Sequence, residues 1–146
     1  MDIKRLILEE LLLEYRIAEL TASIVNNFTV RLDIEDTKHY NARKHRHEFV
    51  GKNTMVPLYI DDTEVISILE KAKRHIAGKI VSGAIRNGKD FVLADKTGVK
   101  KIVLVIAPRL LENDKTRWEL TIVTIFSELA AGRPFTTRDN QLLIKV

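Results

Sequence analysis

The chain contains no cysteine, which removes disulfide bonds, thiol nucleophiles and thiolate metal sites in one step. That absence says nothing about compartment, because a cysteine-free chain suits reducing and oxidising surroundings alike. Long hydrophobic runs are also missing. Stretches such as Ile102 to Ala107 fall far short of the roughly 20 apolar residues that span a bilayer, so no membrane partner is expected. The first residues, Met1 to Ile7, are basic and then apolar, yet Glu9, Glu10 and Glu14 interrupt the apolar part and no small-residue cleavage site follows. They read as a helix rather than an export signal, and the cytoplasm is the expected location. Internal repeats and low-complexity segments are absent too.

What remains is a chain of 146 residues with 45% hydrophobic and 30% charged residues, the composition of one folded domain, residues 1 to 146, with a core of its own. The formal net charge of +4 is modest, but it is unevenly spread: Lys38 to Lys52 holds five Lys and Arg against the single Glu48. A polyanion feels the field of such a patch more than the global total.

Periodicity divides the chain. Ile3, Leu6, Ile7, Leu11, Ile17, Leu20 and Ile24 recur at helical spacing over residues 2 to 26, with Asn26-Asn27 as a stop, and predict an amphipathic helix that folds back on a sheet. Phe28 to Ile34 alternates apolar and polar residues, as a half-buried strand does, with Arg31 on its polar side. Asp36-Thr37 supplies N-cap side chains for a short helix. A loop is expected from Gly51 to Pro57. Asp61 and Glu64 then have capping-box spacing ahead of Val65, Ile68, Leu69, Ala72, Ile76 and Ile80, a second long helix. Beyond the turn signal Asn87-Gly88, strands are expected at Phe91 to Ala94, Lys101 to Ala107, Trp118 to Phe126 and Gln141 to Val146, with a polar loop from Ser127 to Asn140. The predicted class is α+β: N-terminal helices packed on a mainly antiparallel sheet of four to five strands.

The chemistry-bearing stretch is Lys38 to His47, which holds three of the four histidines and the cations Lys38, Arg43, Lys44 and Arg46. Imidazole moves protons near neutral pH, and guanidinium groups hold phosphate. In the first turn of a helix, His39 would stay neutral because the positive helix end disfavours imidazolium. Arg43, one turn on, would share its face. Tyr40 and Trp118 are stacking candidates, Tyr40 the better one; Thr121 and Thr124 read as plain strand formers. His45 and His47 could share a metal only if their segment were extended, so no metal is expected. A second basic stretch, Lys71, Lys73, Arg74, Lys79, Arg86 and Lys89, has the look of a solvated helix face, with Lys73 and Arg74 as candidates for an RNA track.

Two segments resemble the RegB-type phage endoribonucleases and, more distantly, the RelE-like toxin ribonucleases: His39-x3-Arg43-x2-Arg46, and Ile60-Asp61-Asp62-Thr63-x-Val65 followed by the basic helix that ends Lys71-Ala72-Lys73-Arg74-His75-Ile76. The resemblance implies a RelE-like fold and cleavage of single-stranded RNA without metal or other cofactor, by attack of a ribose 2′-hydroxyl on the adjacent phosphorus. It makes His39 the base or acid and Arg43 and Arg46 the phosphate clamp, with Arg31, Lys38, Tyr40, Lys44, Lys73, Arg74 and Lys101 as further RNA contacts. A ribosome or protein partner would complete the site in a RelE-like enzyme, and a phage-encoded member would work in the host cytoplasm. This chain departs from the family at the second active-site histidine, where it has Glu70. That glutamate is either a general base or the mark of a member that binds RNA or protein without cutting. A phage structural or host-takeover protein that docks through its basic segment is the third expectation.

Overall fold

The computed structural model describes residues 16–23, 29–36, 47–50, 54–57, 60–111 and 116–146. In chain order these residues form β1 (Arg16–Ser23), β2 (Thr29–Asp36), β3 (His47–Val50), β4 (Thr54–Pro57), α1 (Asp62–Val81), β5 (Phe91–Ala94), β6 (Ile102–Leu110), β7 (Arg117–Ser127), α2 (Glu128–Ala131) and β8 (Leu143–Lys145). The main sheet has six strands in the order β1-β2-β7-β6-β5-β8, and β3 and β4 form a separate two-stranded hairpin. β1–β2, β6–β7 and β5–β6 pair antiparallel. β2–β7 and β5–β8 pair parallel. The class is α+β, as expected, but the sheet is larger and more mixed than four or five mainly antiparallel strands.

The largest correction concerns the predicted N-terminal helix. Residues 16–23 are a strand, in register with β2 from Arg16↔Glu35 to Ser23↔Thr29; the rest of the predicted helix lies outside the described residues. The physical reason is visible in burial: Leu20 and Ala22 are buried while Glu19 and Thr21 are exposed. Period two wins here because β2 offers an edge to pair with and Ala22, small and uncounted in the helical stripe, reaches the core. Residues 54–57, expected in a loop, form β4 against β3. The short helix expected after Asp36 lies outside the described residues, apart from Asp36 itself, which ends β2.

The other elements follow their sequence signals. Asp61 caps α1: its side chain accepts from Thr63 N at 3.0 Å, and Glu64 reaches back to Asp61 N at 2.8 Å, the two halves of the capping box. Val65, Ile68, Leu69, Ala72, Ile76 and Ala77 form its buried stripe. The Asn87-Gly88 turn docks on the end of β6, with Gly88 at φ 79°, Gly88 N donating to Pro108 O at 2.8 Å and Leu110 N donating to Asn87 Oδ1 at 2.9 Å. β5, β6, β7 and β8 fall where strands were expected, and the polar loop after Ser127 opens with the single turn α2.

α1 lies against one face of the sheet. Its stripe packs with Leu20 and Ala22 of β1, Val30, Leu32 and Ile34 of β2, Ile102, Leu104 and Ile106 of β6, and Trp118, Leu120, Ile122 and Ile125 of β7. On the opposite face a smaller cluster joins Val92, Ala94, Val103 and Phe126 to the half-buried Val105, Ala131 and Phe135. Among the described residues no helix is long and apolar enough to cross a membrane.

Candidate functional site

On the face of the sheet opposite α1, charge and concavity coincide. Alternation puts Val30, Leu32 and Ile34 of β2 into the core with α1, so Arg31 and Asp33 belong to the other face. The register sets Arg31 beside Arg117 and Asp33 beside Glu119 on β7, with Arg109 of β6 opposite Glu119. Two ion pairs tie these strands together: Arg117 Nε to the buried Asp33 at 3.3 Å, and Arg109 to Glu119 at 2.9 Å. Arg31 is exposed.

Further along the same face, an irregularity in β7 makes room for a cavity. Val105 pairs with Thr124 while its neighbour Ile106 pairs with Ile122, so Val123 is an extra residue in the ladder. A bulge of this kind switches which side chains face which side. Before it Trp118, Leu120 and Ile122 serve the α1 core; after it Ile125 does, and Phe126 falls to the opposite face. The result is a cavity of about 590 Å³ lined by residues that include Val123, Thr124, Phe126, Arg133, Phe135 and Arg138, with Asp90 and Gln141 at its wall. The Thr124 hydroxyl is buried beside it and has no hydrogen-bond partner among the described residues.

The outer wall is held by short-range devices. Ser127 caps α2, its hydroxyl accepting from Ala130 N at 3.1 Å and donating to Lys100 O at 2.6 Å. Gly132 closes the turn at φ 67°, a conformation that favours glycine. The Glu128 carboxylate accepts from Phe135 N at 2.9 Å and from Lys96 Nζ at 3.2 Å. Burial pushes the Glu128 pKa up, but these donors and the nearby Lys101 outweigh it and hold the group below its ordinary value. With the loop so fastened, the Phe126 and Phe135 rings sit 5.5 Å apart and the Arg133 guanidinium lies 5.0 Å from the Phe126 ring centre. Arg138 N donates to the Gln141 side chain at 3.1 Å, and Gln141 N donates to Arg138 O at 3.2 Å.

The sequence-derived candidates do not fall in one place. His39, Arg43, Arg46, Lys38, Tyr40 and Lys44 lie outside the described residues, as does His45; His47 is the first residue of β3. Glu70, Lys73 and Arg74 are on α1, with Glu70 exposed and paired to Lys73 at 2.8 Å. Arg31 is on the far face of the sheet from α1, so the structure does not bring it together with Glu70. Lys101 is exposed at the entry to β6, at φ 49°. The second basic stretch is also split. Lys71 to Lys79 stays with α1, whereas Arg86 and Lys89 line a smaller cavity of about 390 Å³ that shares Asp90 and Gln141 with the larger one. Among the described residues no three His, Asp or Glu side chains gather as metal ligands would.

Arg133, Phe135, Arg138, Phe126 and Thr124 were not marked as site residues in the sequence. The signal available was the polar loop with Gly132-Arg133-Pro134 and Arg138; the bulge that turns Thr124 and Phe126 toward it has no sequence signature. Compared with family models, with curated proteins and with solved structures, the chain matches none of them.

Proposed function

We propose that this protein is a metal-independent endoribonuclease of RelE-like build that takes single-stranded RNA on the sheet face opposite α1. The observation that carries the reading is the position of the cavity relative to the two described strand ends on either side of the cationic segment. Asp36, which precedes that segment, is in register with Ile122 of β7. β3, which follows it, lies near α2, which in turn follows β7. The anchors of the ten residues 37–46 thus flank the stretch of β7, Val123 to Phe126, that lines the cavity. Those ten residues carry His39, Arg43 and Arg46.

In the reaction proposed, His39 takes the proton of a ribose 2′-hydroxyl as its oxygen bonds to the adjacent phosphorus. The 5′-oxygen leaves with a proton from a general acid, giving a cyclic phosphate and a free 5′-hydroxyl. Arg43 and Arg46 hold the phosphate as charge builds on it. The location proposed is the cytoplasm, that of the host if the chain is phage-encoded, and a ribosome or protein partner that completes the site fits the same scheme.

One observation favours a second reading, RNA binding without cleavage. Glu70, at the position of the missing histidine, is on α1, across the sheet from the cavity, where it is paired with Lys73. Incubation of the purified chain with mixed single-stranded RNA in EDTA, beside a His39→Ala control, decides between the two. Cyclic-phosphate ends that disappear in the control are the expected result. Retained RNA binding with no cleavage selects the second reading, and the absence of both sinks each of them.

A further inference from the structure

We infer that the cavity between Phe126, Arg133, Phe135 and Arg138 is a subsite for a single unstacked nucleotide, its phosphate held by the two guanidinium groups and its base against the aromatic pair. The inference rests on the RNA reading above and adds where a base is taken up and by which groups.

The first argument is electrostatic. Four of the arginines on this side of the sheet differ in what they do. Arg109 and Arg117 are committed to Glu119 and Asp33. Arg133 and Arg138 line the cavity and have no carboxylate partner among the described residues. A guanidinium that is not already paired can grip a phosphate through two parallel hydrogen bonds without first breaking an ion pair.

Shape supplies the second argument. At about 590 Å³ the cavity falls in the size range of small-ligand sites, roughly 300–1,000 Å³, which admits one nucleotide. The Arg133 guanidinium lies over the buried Phe126 ring, and the half-buried Phe135 ring packs against Phe126 at a tilt of 60°. Aromatic rings and guanidinium planes are the surfaces on which unstacked bases settle. A duplex cannot offer a base to such a recess, so the site selects single strands.

The polar groups fit the same occupant. The Thr124 hydroxyl is buried beside the cavity without a hydrogen-bond partner among the described residues. Gln141 spends its carbonyl oxygen on Arg138 N, which leaves its amide hydrogens as donors for a base edge. Asp90 repels phosphate and accepts from a base amine, so the phosphate lies toward the arginines and the base edge toward Asp90. The adjoining recess of Arg86 and Lys89, reached past Asp90 and Gln141, gives the next phosphate a cationic path.

The test uses the full chain and a labelled 2′-O-methyl RNA decamer, which binds but cannot cyclise, with affinity read by fluorescence anisotropy across a salt series. Arg138→Ala is expected to weaken binding about tenfold and to reduce the slope of log K against log salt by about 0.7, the value for one phosphate contact on a single strand. Phe135→Leu, which keeps the packing and removes the ring, is expected to weaken binding about fivefold with the slope unchanged. Lys79→Ala, on the last turn of α1, is expected to stay within twofold. If the unmodified chain binds and Arg138→Ala behaves like Lys79→Ala, the subsite is overturned and the RNA reading stands. If the unmodified chain does not bind RNA at low salt, both are overturned. Arg138→Gln replaces the alanine variant if the latter melts early.

Discussion

Asp95 is surrounded by donors. Its Oδ1 accepts from Lys71 Nζ at 2.8 Å, Thr97 Oγ1 at 3.1 Å, Thr97 N at 3.2 Å and Gly98 N at 3.2 Å. Burial alone would raise its pKa, but the Lys71 ammonium, the Thr97 hydroxyl and the two backbone N–H groups together lower it below the ordinary carboxylate value. A carboxyl whose folded pKa is depressed contributes its full stabilisation above the unfolded-state value of about 3.9. It loses that contribution as the pH falls through the lower, folded value. Asp95→Ala is therefore expected to cost on the order of 2 kcal/mol near neutral pH, from lost charge-assisted hydrogen bonds, and to flatten the acid limb of a melting-temperature profile below the ordinary carboxylate range. A Cβ at Gly98 would overlap the Asp95 carboxylate, so Gly98→Ala should lower the melting temperature in the same assay. The turn Asp95-Lys96-Thr97-Gly98 was readable from the sequence as a break between strands. Its lock onto Lys71, 24 residues away, was not, because Lys71 looks like any other cation of a basic helix.

At the scale of elements, β1 and α1 show when periodicity suffices. The α1 pattern carries its own boundary signal, the Asp61–Glu64 box, and one continuous stripe, so local sequence and tertiary packing agree. Residues 16–23 satisfy two periods at once. On a helix, Thr21 would lie on the side of Ile17, Leu20 and Ile24 and Ala22 would point away; in the strand Ala22 is buried and Thr21 exposed. The two geometries therefore separate on charge insertion. Ala22→Glu is expected to cost more than about 3 kcal/mol in urea unfolding, the penalty of an unpaired buried charge, while Thr21→Glu stays within about 0.5 kcal/mol. The reverse order would restore the helix. β7 makes the same point more sharply. Most of its residues are β-branched or aromatic strand formers, yet the extra Val123 decides that Phe126 and Thr124 border the cavity rather than the α1 core.

The molecule as a whole has two unlike sides, α1 with its exposed cations on one and the cavity with Arg133 and Arg138 on the other. Hydrogen exchange of the RNA-bound chain is expected to protect residues 123–141 and to leave 70–79 unchanged; protection confined to 70–79 would move the interface to Glu70, Lys73 and Arg74. The sequence by itself determined the α+β class, the capped helix α1, the C-terminal strands to within a few residues, and the concentration of histidine and arginine between β2 and β3. Those features are local: they depend on spacing, caps and turn residues within a few positions of one another. Only the tertiary structure decided the strand at 16–23, the order β1-β2-β7-β6-β5-β8 and the pairing of Lys71 with Asp95. It also decided which arginines are spent in ion pairs and which face a cavity. Each of these depends on partners distant in the chain, and the choice between competing periods, registers and charge pairs is made by what lies opposite.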